Sequence, residues 1–118
     1  MIRYSYKKLI AWEKADVPAK EIYRLSAKFP KAEVYGLTSQ LRRSSLSVAL
    51  NIIEGYARNN KKEFRHFLRI AYASLVEAEY LLEFAFSQKY LTDGDFEKSD
   101  KLRNECGKVL WKLLKSQF

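Results

Sequence analysis

Apolar residues recur every three or four positions through four stretches of the chain, and this spacing predicts four helices joined by short breaks. The first stretch, Lys7 to Lys28, carries Leu9, Trp12, Ile22 and Leu25, with Phe29 just beyond. Pro18 stands inside it, where the ring removes a backbone donor and crowds the preceding turn, so a kink or break is expected near Ala15 to Pro18. Phe29-Pro30 closes the stretch, because a residue before proline avoids the helical region. In the second stretch, Gly36 to Arg58, a rotation of ~100° per residue puts Leu37, Leu41, Val48 and Ile52 on one face, completed by Ser44 and Gly55. Asn60 followed by Glu63 reads as a cap that opens the third helix. Its stripe of Phe64, Phe67, Leu68, Ala71, Leu75, Ala78, Leu82 and Ala85 reaches about Lys89. Thr92 and Asp95 repeat the capping arrangement before the fourth, where Phe96, Leu102, Cys106, Val109 and Leu113 align. Gly107 marks a close helix contact or a weak point there. Short connections favour antiparallel neighbours, so the pattern predicts an all-α, up-down-up-down antiparallel four-helix bundle, with residues 1–118 forming a single domain.

The second helix has more apolar surface than one bundle uses. Leu46, Leu50, Ile53 and Ala57 lie roughly opposite its core stripe. Either the first helix covers part of this face, or it is an oligomer interface, since a helix apolar on two sides is buried on both. Between the two faces runs a polar stripe of Gln40, Arg43, Ser47, Asn51, Glu54 and Arg58. If the second and third helices form a hairpin about Asn59-Asn60, residues whose numbers sum to about 120 are neighbours. Arg43 then lies beside Glu77, and Glu54 beside His66. This polar seam is expected to be an interhelical ion-pair seam that sets register; the alternative is a small polar site around Asn51 and Glu54, with His66 as acid–base partner.

Composition narrows the chemistry. Of 118 residues, 47% are hydrophobic and 31% charged, enough apolar content for a core. One cysteine excludes an internal disulfide, and one histidine excludes metal sites needing two. No nucleophile, metal cluster or phosphate loop accompanies Glu54 and His66, so the expectation is no enzyme, no catalytic residues, no metal and no cofactor. No run of ~18 apolar residues predicts a membrane span. Met1 to Lys8 does not read as a targeting signal, and a cytoplasmic location is expected.

The formal charge of +8 favours an anionic partner. Folded into the bundle, one pole gathers Arg3, Lys7, Lys8, Arg58, Lys61, Lys62, Arg65, Arg69, Lys108, Lys112 and Lys115, opposed only by Glu54 and Glu63. The other pole has as many acids as bases. Lys61 and Lys62 also stand at the positive end of the third helix, an unfavourable placement that a bound phosphate would reverse. A basic pole that only aids solubility is the plainer alternative. Tyr4, Tyr56 and Tyr72 are candidate stacking surfaces or packing residues.

Phe29-Pro30 with Glu33, Gly36-Leu37, Gln40-Leu41-Arg42-Arg43, Ser47, Asn51-Ile52-Ile53-Glu54-Gly55, Glu63-Phe64, Phe67-Leu68, Ala71, Ser74-Leu75-Val76-Glu77 and Tyr90-Leu91 together resemble one family. It is the four-helix bundle family encoded in intervening sequences of bacterial 23S ribosomal RNA genes. Pro18 departs from the uninterrupted first helix expected in that family. The resemblance implies a homopentamer, and a relation to the accessory protein of diversity-generating retroelements, which binds nucleic acid and a reverse transcriptase. The combined expectation is a non-enzymatic homo-oligomer that binds RNA or DNA phosphates through its basic pole with little sequence specificity. The alternative is a protein–protein adaptor that docks an acidic partner such as a nucleic-acid enzyme.

Overall fold

The computed structural model describes residues 5–117. Four helices make up most of them: α1 (Ile10–Ser26), α2 (Leu37–Ala57), α3 (Lys61–Ser87) and α4 (Asp93–Lys115). Short 3-10 turns at Ser5–Lys8 and Lys31–Glu33 precede α1 and α2. Among the described residues there is no strand. Each helix packs on two neighbours and not on its diagonal opposite, in the cyclic order α1, α2, α3, α4. The result is an antiparallel four-helix bundle measuring 42 × 24 × 20 Å.

Local chemistry sets the boundaries. Asn60 Oδ1 accepts the Glu63 backbone N–H at 3.0 Å, and Thr92 Oγ1 accepts that of Asp95 at 3.1 Å, so both expected caps form. Beyond α2, Asn59 takes φ 52°, a left-handed conformation that asparagine tolerates well. The N-terminus of α2 has a cap from outside the helix. Glu33 Oε1 accepts the Leu37 N–H at 3.2 Å, while Tyr90 Oη donates to Glu33 Oε2 at 3.1 Å. That hydrogen bond raises the Tyr90 pKa, because the neutral phenol is its donor.

The core forms two clusters along the long axis. One joins Ala11 and Ala15 with Val48, Ile52, Leu68, Ala71, Leu75, Cys106, Leu110 and Leu114. It therefore unites the start of α1, the end of α2, the start of α3 and the end of α4. The other joins Ile22, Leu25, Phe29, Leu37, Leu41, Leu82, Ala85 and Leu91 at the opposite pole. The α2 stripe of Leu37, Leu41, Ser44, Val48, Ile52 and Gly55 is buried throughout.

Two details of the expected pattern change. α1 continues through Pro18 without a break. Its ring is buried beside Ala15 and Ala19 against α2 and α4, so packing on both sides holds the turn that lost a hydrogen bond. The buried face of α4 is Ser99, Cys106, Leu110 and Leu114, whereas Phe96, Leu102, Val109 and Leu113 flank it half-buried. Ser99 fills a core position with a polar side chain. Its hydroxyl has no hydrogen-bond partner among the described residues and is adjacent to a cavity of about 20 Å³ lined also by Pro18, Ser45 and Cys106.

The hairpin of α2 and α3 has the expected register. Ser47 Oγ and Ser74 Oγ are 2.9 Å apart, and Asn51 Nδ2 donates to the Ser47 carbonyl at 2.8 Å and to Ser47 Oγ at 2.9 Å. A second clasp joins α1 to α2: Arg42 donates to Ser26 Oγ at 2.7 Å and to the Tyr23 carbonyl at 3.2 Å, with its guanidinium over the Tyr23 ring.

Candidate nucleic-acid interface

The antiparallel topology brings the basic residues to one end, as the charge pattern predicts. Lys7 and Lys8 are exposed on the turn before α1. Arg58 follows α2, Lys61 and Lys62 are the first two residues of α3, and Lys112 and Lys115 occupy the last turn of α4. Arg65 Nη1 donates to the Gln117 carbonyl at 3.4 Å, which ties the start of α3 to the end of α4. Arg69 is exposed one turn further along α3. Arg3 and Tyr4 lie outside the described residues.

Acid at this pole is already engaged. Arg58 Nη2 is 2.8 Å from Glu54 Oε1, and its Nη1 is 4.0 Å from Glu63 Oε1. One arginine thus lies between the two carboxylates and offsets one of their two charges, and its guanidinium also lies 5.0 Å from the Phe67 ring centre. Lys8, Lys61, Lys62, Lys108 and Lys112 have no carboxylate partner among the described residues. Exposed pairs contribute little to stability. Their relevance here is that they leave a surplus of positive charge facing solvent.

The polar seam differs from expectation. Arg43 and Glu77 are both exposed and form no ion pair, although the register makes them neighbours. Their side chains remain in water, where pairing two long, mobile chains gains little. The Ser47–Ser74 hydrogen bond supplies the polar contact between helices instead, with Asn51 bonded to Ser47 from within α2. Glu54 is also not joined to His66: its carboxylate turns along α2 to Arg58, while the imidazole packs edge-on to Phe67 at 5.2 Å. The proposed acid–base pair is not assembled. Among the described residues, no group of three or more His, Cys, Asp or Glu is placed to hold a metal ion.

Leu46 and Leu50 are 40% and 53% exposed, Ile53 is half-buried and Ala57 exposed, so α1 does not cover this face. The register sets Leu50 across from Ile70 of α3, itself exposed, which broadens the apolar surface across both helices. Tyr56 and Tyr72 are half-buried and pack against Phe64 and Trp111. Trp111 is a surface residue that periodicity did not single out; its neighbours Lys108, Lys112 and Lys115 were the available signal.

Cys106 is wholly enclosed, and burial pushes its thiol up to about 12 despite the opposing field of Arg103. The native protein should therefore resist iodoacetamide at pH 8 and become labelled only on denaturation, as mass spectrometry of intact protein would show. Because the unfolded thiol ionises near 9, its protonated burial adds stability that is complete below pH 9 and is lost as pH rises toward 12. The stability difference between wild type and Cys106→Ala should narrow across that interval.

These features define a small all-helical bundle with one cationic end and an uncovered apolar flank. The chain belongs to the 23S rRNA-intervening sequence protein family, which it matches over residues 7–112. Among solved structures it is similar to a protein of unknown function from the S23 ribosomal protein family of Bacteroides thetaiotaomicron VPI-5482. The two are 25% identical, with a TM-score of 0.82 over 90% of this chain and 96% of that one. No curated protein matches the chain. Several residues that carry the family resemblance have architectural work: Glu33 caps α2, Arg42 clasps α1, Ser47 joins α2 to α3 with Asn51 bonded to it from the same helix, and Gly55 lets those helices touch.

Proposed function

We propose that the protein is a non-enzymatic, self-associating bundle that binds RNA or DNA phosphates through its basic pole with little sequence specificity. The observation that carries this reading is the charge imbalance: the two acids of the pole both face Arg58, while lysines from the turn before α1, from α3 and from α4 face solvent together. Backbone phosphates repeat at short intervals, and such a surface meets them without reading bases. Cytoplasmic nucleic acid is the fitting partner. No helix among the described residues is long and apolar enough to cross a membrane.

The test compares two triple variants by fluorescence anisotropy with labelled oligonucleotides across a salt series. Lys8, Lys62 and Lys112 changed together to Gln should weaken binding to all sequences and flatten the slope of log K against log salt. Each lost phosphate contact reduces that slope by roughly 0.7 on a single strand. Lys28, Lys31 and Lys101 changed to Gln remove the same charge from the other pole and should leave the slope near that of wild type. Equal losses from both variants would indicate attraction to overall charge, and absence of binding at low salt would favour the docking of an acidic protein.

A further inference from the structure

A groove of about 220 Å³ runs along the surface between α3 and α4. Tyr72, Leu75 and Val76 line it from α3; Arg103, Asn104, Gly107, Lys108 and Trp111 line it from α4. Trp111 is 46% exposed, with Tyr72 tilted against it at 5.3 Å and the Lys115 ammonium 5.0 Å from its ring centre. The one carboxylate lining the groove, Glu79, is 3.5 Å from Arg103, which also binds Asp100 at 2.9 Å.

Gly107 is informative. A Cβ there would meet only Leu75 Cδ2, at an ordinary 3.4 Å, so helix packing does not require glycine. Glycine inside a helix is destabilising. What it provides at this place is open space beside Trp111. An exposed tryptophan in a groove edged by Lys108 and capped by Lys115 presents an aromatic face next to positive charge, the combination that holds an unpaired base and its phosphate.

We propose that the α3–α4 groove seats an unpaired nucleobase of single-stranded nucleic acid, stacked on Trp111 in place of the Lys115 ammonium, which moves with Lys108 to the adjoining phosphates. The proposal rests on the reading that the basic pole binds phosphates, and it adds a preference for single strands over duplex. Stacking is indifferent to base identity, so it preserves low sequence specificity. RNA and DNA strands offer the same base chemistry here.

The experiment measures anisotropy with labelled oligo(U), oligo(dT), an oligo(dT)-length abasic strand and a duplex of equal length. Trp111→Leu should weaken both oligo(U) and oligo(dT) binding by about 5- to 150-fold while changing duplex binding less than about twofold. Trp111→Phe should retain most of the affinity, which separates loss of stacking from loss of fold. Gly107→Gln, which leaves Trp111 in place but fills the groove, should reproduce the single-strand defect. In a Trp12→Phe background, oligo(dT) should quench Trp111 fluorescence and the abasic strand should not. Equal weakening of single strand and duplex by Trp111→Leu, or abasic binding as tight as oligo(dT), would overturn the groove assignment while leaving salt-dependent phosphate binding intact. Failure of every probe to bind wild type at low salt would overturn both readings.

Discussion

Replacing the buried Gly55 with leucine should destabilise the bundle by roughly 3 kcal/mol or more, because the added side chain overpacks a tight interface. A Cβ at this position would stand 2.8 Å from Phe67 Cβ and 3.0 Å from Phe64 Cδ1. The first of those atoms is anchored directly to the α3 backbone and cannot swing aside, so α2 and α3 must separate. Even Gly55→Ala should be unfavourable, despite its gain in helix propensity. Gly94 supplies the control: nothing lies within 4 Å of a Cβ built there, and Gly94→Ala should be neutral or mildly stabilising. Thermal melts by circular dichroism decide the matter, with about a 10 °C loss expected for Gly55→Leu in a domain of this size. A melt matching wild type would mean that the helices have slack at this crossing.

Leu50→Asp should convert an oligomer to a monomer while leaving the melting of the single bundle almost unchanged. Leu50 is 53% exposed in the isolated chain, so a charge there costs the monomer little. Within an interface that buries it, the same carboxylate would lose hydration without a partner, and burial of each aliphatic side chain otherwise contributes ~1.5–3 kcal/mol. Leu46→Asp should act in the same direction. Light scattering coupled to size-exclusion chromatography measures the change. A wild-type monomer at micromolar concentration would remove self-association from the proposed function, and so would a Leu50→Asp assembly of unaltered mass.

Much of the bundle is legible in the sequence because its signals are local. Asn60 and Thr92 cap their helices with their own side chains, and the α2 stripe from Leu37 to Gly55 is buried at every position it names, although it passes over the small or polar Thr38, Ser45 and Ala49, which are buried beside it. Register follows too, since a tight turn at Asn59 leaves few ways to align the two helices. The contribution of α1 is harder to read. Its core positions are largely Ala11, Ala15, Pro18 and Ala19, small residues that a search for large apolar side chains passes over. On α4, Ser99 is polar yet buried, which tilted the expected stripe away from Leu110 and Leu114.

The candidate site divides along the same line. Placement of the basic residues depends only on helix direction, so the cationic pole was accessible from topology. Side-chain partnerships depend on rotamers and competing neighbours, which backbone register does not encode. Arg43 and Glu77 have matching positions but separate conformations, and Glu54 has Arg58 four residues away as a better partner than His66. Trp111 escaped notice because it lies off the apolar stripe of α4, and its half-exposed place beside Tyr72 emerges only from the packing of α3 on α4.

The even number of helices has a practical corollary for handling this protein. Ser5 and Gln117 emerge at the same end, the latter against Arg65, so anything fused before one or after the other is delivered to the cationic surface. A bulky reporter or an acidic affinity tag at either end would screen lysines that the binding assays are meant to measure. The α3–α4 turn around Lys89, at the far end of the 42 Å rod, is the neutral point of attachment. A circular permutant opened there and joined across Ser5 and Gln117 would carry its label where it obstructs nothing at the cationic end.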